Sequence, residues 1–317
     1  MADDLFFTLT PSLAMSVVEK LGPRSTGFCF QLNSYENRVF ELELEGGTRV
    51  VAKFYRPGRW SREQILDEHK FILELEHQDI PVGAPMPLSG TDTVVEVDGL
   101  FCAVFKKVRG RSPEDMKAPD LERIGRLIAR MHNAGEWKPA LHRRKLTVEE
   151  FGDKSLETLL ELGFIPKALE EAYVAVAEDI FDWLDPKLSR MKTLRVHGDL
   201  HRGNLLENKE GYWLVDFDDM VNGPAVQDLW LLVPGRDEAS LEERDALIKG
   251  YASMRKFDRD ELMIVEGLRA LRVVHYSAWI ARRYHDPAFL RVFDQFKENR
   301  YWDEELNQLR EIRARLS

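Results

Sequence analysis

Val196–Asp219 reads VHGDLHRGNLLENKEGYWLVDFDD, and the rest of the chain is organised around it. Leu205–Glu207 and Tyr212–Val215 are apolar, β-favouring runs, and Asn208–Gly211 between them carries turn chemistry. A hairpin closed by that turn pairs Glu207 with Tyr212 and sets Asn204 opposite Val215. Neighbouring strands lie only about 5 Å apart, so Asn204 and Asp216 come side by side at the open end of the hairpin. Asp199 stands five residues before Asn204, in the preceding loop. Three oxygen-bearing side chains at one place suit a hard cation such as Mg²⁺, which keeps few protein ligands and takes phosphate and water for the rest. Asp199 is then free to orient a hydroxyl and accept its proton. By itself the H-x-D-x-H triplet also fits a Zn²⁺ site through His197 and His201, or two histidines that merely pack and hydrogen-bond the loop. The downstream Asn204 and the phase of Asp216 favour the oxygen-ligand reading.

A chain of 317 residues, 44% hydrophobic and 32% charged, suits one large two-lobed unit or two domains with ample core. Forty-five Lys and Arg against 55 Asp and Glu leave a net charge of −10, so nonspecific nucleic-acid binding is not expected. The cysteines, Cys29 and Cys102, fall in strand-like runs without metal-site spacing and read as buried thiols in a reducing compartment. MADDLFFTLT at the N-terminus resembles no secretory signal, and no stretch approaches the roughly 20 apolar residues that span a bilayer. A cytoplasmic protein without membrane insertion is the expectation, acting as a monomer.

Before the central stretch the chain reads mostly as strands. Thr10-Pro11 caps a short helix to Leu21, and strand-like runs follow at Gly27–Asn33, Arg38–Glu45 and Thr48–Phe54. Phe40, Leu42 and Leu44 alternate with Val39, Glu41 and Glu43, the pattern of a half-exposed antiparallel sheet. Ser61 and Gln64 form a capping box for a helix to about Glu76, and Asp98-Gly99 separates two further strands. These elements make a lobe of residues 1–107, and FKKVRG at Phe105–Gly110 is the expected hinge into residues 108–317. That second part reads as mainly helical. Asp120 is the expected cap of a helix to Asn133, and Arg143-Arg144-Lys145 reads as a solvated loop, or as a run for an acidic or phosphorylated partner. Pro166 opens a helix that Asp185-Pro186 should end, and Ser240 with Glu243 and Asp258 with Glu261 read as further caps.

The order Asp199, Asn204, Asp216 resembles the catalytic and metal-binding loops of kinases, and the H-G-D-x-H-x-x-N spelling is similar to the aminoglycoside phosphotransferase and choline kinase branch of the protein-kinase-like superfamily. LNSYENRVFEL, VAKFYRPGRWSREQILDEH and NGPAVQDLW carry a closer resemblance, to the stress response kinase A family, over about Leu32 to Trp279. The resemblance implies a bilobal α+β protein-kinase-like fold, ATP and Mg²⁺, and phosphoryl transfer to Ser/Thr hydroxyls of a protein substrate. It also implies a role against envelope and oxidative stress. Asp199 and Asp216 become the catalytic carboxylates, Asn204 and Asp216 the Mg²⁺ ligands, and Ser34 a residue of the nucleotide loop. Lys53 becomes the lysine on the α- and β-phosphates with Glu68 as its partner, and Asp228 a brace for the catalytic loop or a helix cap. Asp218 stands where other branches often have Gly, a change expected to alter the loop's dihedrals or add an acceptor near a second metal position. A sugar, amino alcohol or antibiotic as acceptor is the alternative within the same chemistry, and a nucleotide-binding scaffold without turnover the alternative outside it.

Overall fold

Alternation in the first hundred residues builds an antiparallel sheet with two different faces. The computed structural model describes residues 2–88 and 90–316. After α1 (Ala2–Thr8), Thr10 caps α2 (Pro11–Lys20) by accepting from the Leu13 N–H, with Pro11 in the first turn. Strands β1 (Ser25–Leu32), β2 (Arg38–Leu44) and β3 (Arg49–Phe54) then pair in sequence. Ser61 and Gln64 close the expected capping box on α3 (Arg62–His77). Two short strands, β4 (Pro85–Met86) and β5 (Val95–Val97), and β6 (Leu100–Lys106) complete the sheet. Its order is β1-β2-β3-β6-β4, with β5 also on β6. Phe40, Leu42, Val50, Ala52 and Val104 bury one face against Ala14, Val17 and Val18 of α2. Val39, Val51 and Lys53 therefore share the opposite face, and Val39 pairs directly with Lys53.

Past β6 the chain is helical apart from the central stretch. It forms α4 (Ala118–Gly135), α5 (Lys154–Leu162) and α6 (Lys167–Leu188) before β7 (Leu194–Val196). The hairpin is β8 (Leu205–Asn208) with β9 (Gly211–Leu214), and β10 (Val221–Gly223) returns antiparallel to β7. Then come α7 (Val226–Leu232), α8 (Glu238–Ala252), α9 (Val265–Arg283), α10 (Pro287–Val292) and α11 (Asn299–Arg313). The large core joins these helices to Phe71, Ile72 and Leu75 of α3 and to Ile80, Val82 and Ala84. Among the described residues no helix is long and apolar enough to cross a membrane. Both cysteines are free.

Several helix ends differ from the sequence expectation. Lys117 precedes α4, and Asp120 sits in the first turn, accepting from the Lys117 N–H at 3.2 Å. Asp237 caps α8 by accepting from the Ser240 N–H at 3.0 Å, whereas Glu243 reaches Arg202 at 3.2 Å. Asp258 does cap the next turn, accepting from the Asp260 N–H at 3.1 Å, whereas Glu261 accepts from the Val226 N–H at 2.8 Å. Pro186 falls inside α6, and the Ser189 N–H still reaches the Asp185 carbonyl at 2.9 Å, so the helix runs on to Leu188.

Candidate active site

The hairpin register is the one its turn dictates. Glu207 pairs with Tyr212, and the Val215 N–H donates to the Asn204 carbonyl at 3.1 Å, so Asn204 and Asp216 do sit together at the open end. Asp216 adopts the left-handed conformation, φ 61°, which turns its carboxylate out of the β9 direction and leaves it 59% exposed. Asn204 is fixed from the other side, its Nδ2 donating to the Asp199 carbonyl at 2.9 Å.

Buried polar contacts hold the Asp199 loop. Both oxygens of the fully buried Asp228 accept from it, one from the His197 N–H at 2.8 Å and one from the Gly198 N–H at 2.9 Å. Asp228 is thus the brace, and His132 of α4 holds it in turn at 2.9 Å. Gly198 has φ +87°, and a Cβ there would lie 2.1 Å from the Asp219 carbonyl oxygen, so only glycine lets this loop meet the strand return. His197 is buried with Nε2 on the Val215 carbonyl at 2.9 Å, and His201 accepts from the Gly203 N–H at 2.9 Å through Nδ1. Both histidines are thereby structural parts of the loop rather than a Zn²⁺ pair. The Asp199 side chain meets Arg272 of α9 at 2.7 Å and His201 at 3.5 Å.

Lys53 is buried and surrounded by acids. Its Nζ lies 2.8 Å from Asp218, 3.3 Å from Asp216 and 3.8 Å from Glu68. Burial alone would lower its pKa, but Asp218, Glu68 and Asp216 outweigh burial and hold it well above the ordinary lysine value. Asp218 is equally enclosed: burial would raise its pKa, yet Arg59, Lys53 and Arg143 hold the carboxyl well below the usual range. Glu68, the expected partner of Lys53, is bound more closely by Arg143 at 2.6 Å. Arg143 is fully buried, donating also to the Asp218 and Gln64 carbonyls at 2.5 and 2.8 Å, which corrects the reading of its run as a solvated loop. Both oxygens of Asp218 are engaged within the protein. Arg59 at 2.9 Å and Asn37 at 3.3 Å take the oxygen that Lys53 does not. The positive φ of the stretch falls on Asp216, while Asp218 has the ordinary sign.

Ser34 lies on the glycine-free turn between β1 and β2, its hydroxyl accepting from the Asn37 N–H at 3.3 Å. This turn is tied to the helical part of the molecule. Glu36 pairs with Arg59 at 2.8 Å and Arg283 at 2.6 Å, and accepts from Trp279 Nε1 at 2.5 Å. Arg56 donates to the Glu36 and Tyr35 carbonyls at 3.0 and 3.1 Å and pairs with buried Asp286 at 2.8 Å.

Two cavities meet beneath that turn. The first, about 520 Å³, runs from Val39, Val51 and Lys53 to the Phe105–Val108 segment and Val215. The second, about 420 Å³, extends between α9 and the Met220–Val221 strand return, lined by Arg144, Arg272, Tyr276 and Trp279. Ser34, Asp199 and Asp216 line both. Each volume is in the range of small-ligand sites. The oxygen donors at the junction fit a hard cation. One oxygen of Asp216 is taken by Lys53, and the Asn204 amide is oriented through its nitrogen, leaving its oxygen unengaged. Among the described residues there is no group of three or more His, Cys, Asp or Glu that could hold a metal ion.

Sequence reasoning brought Lys53, Glu68, Asp199, Asn204, Asp216 and Ser34 to one place, and the fold puts all six around the two cavities or their junction. It passed over Arg59, Arg143, Arg272 and Glu36. Their signal was weak: charged residues with apolar neighbours, Arg59-Trp60 and Arg143 close before Leu146, whose partners lie far away in the chain.

Residues 31–264 match the model of a phosphotransferase enzyme family. The chain is 37% identical over 298 residues to stress response kinase A of Escherichia coli (strain K12), covering 94% of this chain and 90% of that protein. It is 36% identical, over the same shares of each chain, to the serine/threonine protein kinase RdoA of Salmonella typhimurium (strain LT2). Among solved structures, an amicoumacin kinase in complex with AMP-PNP, Ca²⁺ and its antibiotic is similar with a TM-score of 0.73 and 20% identity, over 92% of this chain and 93% of that one. A microcompartment-associated aminopropanol kinase gives 0.69 and 18%, over 96% and 99%. At these identities the structures establish the protein-kinase-like fold. The chain belongs to the phosphotransferase enzyme family, within the group of the stress response kinase A proteins, and is a kinase.

Proposed function

We propose that the protein transfers the γ-phosphoryl group of ATP to a serine or threonine hydroxyl of a cytoplasmic protein, with Mg²⁺, as part of a stress response. The observation that carries the reading is the meeting of two cavities at Asp199 and Asp216. In this reading the first cavity, between lobes 1–107 and 108–317, takes the nucleotide, and the apolar Val39, Val51 and Val215 enclose its base. Lys53 neutralises phosphate charge, and Ser34 faces the phosphate end. Asn204 and Asp216 would hold Mg²⁺, which when bound supplies further charge neutralisation on the phosphates. Asp199 orients the acceptor hydroxyl and accepts its proton at the carboxylate as the new oxygen–phosphorus bond forms and the bond from the γ-phosphorus to the bridging oxygen breaks, ADP leaving with that oxygen and its electron pair. Catalysis on this account is positioning and electrostatics, which is what a braced loop and a buried charge cluster provide.

A small-molecule hydroxyl is the second reading. It is favoured by the turn at Ser34–Asn37, which Glu36, Arg56 and Asp286 fasten to the helical part, giving the second cavity walls rather than an open groove. Purified protein incubated with labelled ATP, Mg²⁺, generic protein acceptors and a panel of small hydroxyl compounds separates the two. Label on protein Ser/Thr supports the main reading, and label on small molecules alone supports the second. Nucleotide binding without transfer to any acceptor sinks both in favour of a scaffold.

A further inference from the structure

The second cavity contains a cation whose counter-ion is missing from the protein. Arg144 lies with its guanidinium 5.2 Å from the Trp60 ring and 4.9 Å from the Phe151 ring. Among the described residues no carboxylate lies within 4.0 Å of it. Most acids of the cavity are already engaged, and Asp216, with one oxygen on Lys53, faces the junction with the first cavity. Glu36 and Asp218 are held as described, Asp219 has one oxygen on Arg59 at 2.7 Å, and Asp199 is on Arg272 at 2.7 Å. His275, on the same wall, is driven by burial to a pKa of about 3 and adds no charge. Burial also lowers the pKa of Arg144, opposed in part by the more distant Asp219 and Glu150, while an arginine stays protonated at any working pH. A half-buried guanidinium without an ion-pair partner has its planar fork free, and that fork matches a carboxylate or phosphate.

Resting on the phosphoryl-transfer reading above, we propose that the acceptor carries an anionic group, a carboxylate or phosphate, close to the hydroxyl that is phosphorylated, and that Arg144 holds that group. Arg272 lines the same cavity and contacts Asp199 at the transfer point. The stacked pair Tyr276 and Trp279, centroids 5.4 Å apart, forms an aromatic wall beside it. A polycationic acceptor would meet Arg144 and Arg272 on this wall. Such an anionic group could belong to an acidic residue flanking a protein serine or to a small hydroxy acid or hydroxy phosphate, and the test distinguishes these sources.

Transfer is measured for wild type, Arg144→Gln and Arg144→Lys. The acceptors are serine peptides with acidic, neutral or basic flanks, and the set glycerate, glycerol 3-phosphate, glycerol and 1-amino-2-propanol. The expected result is a preference for the anionic members of whichever set is used. Arg144→Gln should raise their KM about 10- to 100-fold, the worth of one charge-assisted contact, with KM for ATP unchanged and partial rescue by Arg144→Lys. Preference for basic acceptors, or an unchanged KM in Arg144→Gln, overturns the proposal. If no acceptor is phosphorylated, the phosphoryl-transfer reading fails, and the Arg144 site is judged by calorimetry instead. Glycerol 3-phosphate is titrated into protein saturated with Mg-AMP-PNP. Binding by wild type that Arg144→Gln loses supports the anion site, whereas equal binding by both, or binding by neither, overturns it. A normal thermal melt of Arg144→Gln excludes misfolding as the cause, and Arg144→Lys serves if that variant does not fold.

Discussion

Arg143 Nη2 lies 2.6 Å from Glu68 Oε2, whereas the nearest approach of Lys53 to that glutamate is 3.8 Å. The helix glutamate is therefore held by an arginine from the loop after α4, and the strand lysine is held by Asp218. Arg143 also donates to the Asp218 and Gln64 carbonyls, so one guanidinium ties α3 to the segment that carries Asp216. Position of α3 and position of the Asp216 loop are coupled through this contact.

Both members of the Arg143–Glu68 pair are buried, so removing Arg143 leaves Glu68 with Lys53 alone, at 3.8 Å, in a poorly solvated place. Arg143→Met should lower stability by about 3–5 kcal/mol. Adding Glu68→Leu to the same chain should recover part of that loss. Urea titration of the single and double variants measures both effects, and a stable single variant would show that water reaches the pair.

Asp199→Asn and Asp216→Ala should fail in different ways. Asp199→Asn keeps size and removes the proton acceptor, so turnover should fall at least about 100-fold, with little change in Mg-ATP affinity. Asp216→Ala removes an oxygen donor from the junction, so the Mg²⁺ dependence of nucleotide binding should weaken along with transfer. Kinetics and nucleotide binding measured in one preparation separate the roles. A large affinity loss in Asp199→Asn would place that residue among the nucleotide or metal contacts instead.

What the sequence made legible was whatever short-range geometry decides. The register that brings Asn204 to Asp216 follows from a turn between two runs, and Lys53 faces the cleft because a strand alternates. Arg143 was misread because a basic run with no local acid looks solvated. Its partner Glu68 is 75 residues away, and only the packing of α3 against the later loop brings them together. The same holds for Arg56 and Asp286, 230 residues apart. Cap assignments failed at α4 and α8 for a milder reason: several nearby polar residues could cap each helix, and local spacing does not choose among them.

The Arg56–Asp286 contact fastens the Ser34–Asn37 turn to α10, and Asp286 also accepts from the Ala288 N–H at 2.9 Å. Asp286→Ala leaves Arg56 its Glu36 contact at 3.2 Å but removes its other acid. The turn should loosen, seen as faster amide exchange across residues 33–37 and a higher KM for ATP. A stability loss of roughly 1–3 kcal/mol is expected for the unpaired charge-assisted bond. Unchanged exchange in that turn would mean that Glu36 alone holds it.

Glu305 gives the molecule a pH-dependent contribution remote from the cleft. Burial raises its pKa from 4.5 to about 7, against a hydrogen bond from Ser277 that favours the ionised form. Because the folded value lies above the unfolded one, the folded chain keeps a proton that the unfolded chain releases between pH 4.5 and about 7. The stabilisation is complete below pH 4.5 and is lost as pH rises through about 7. Glu261, raised to about 7 chiefly by burial, adds a second contribution of the same sign. Glu305→Gln keeps an acceptor for Ser277 and cannot titrate, so its thermal midpoint should fall less steeply with pH than that of the wild type across this window. Glu305→Gln with Glu261→Gln should flatten the profile further, although Glu261 also accepts from the Val226 N–H and its replacement carries a separate loss. Thermal melts through the window test this, and parallel pH profiles for wild type and Glu305→Gln would show that Glu305 titrates at an ordinary value.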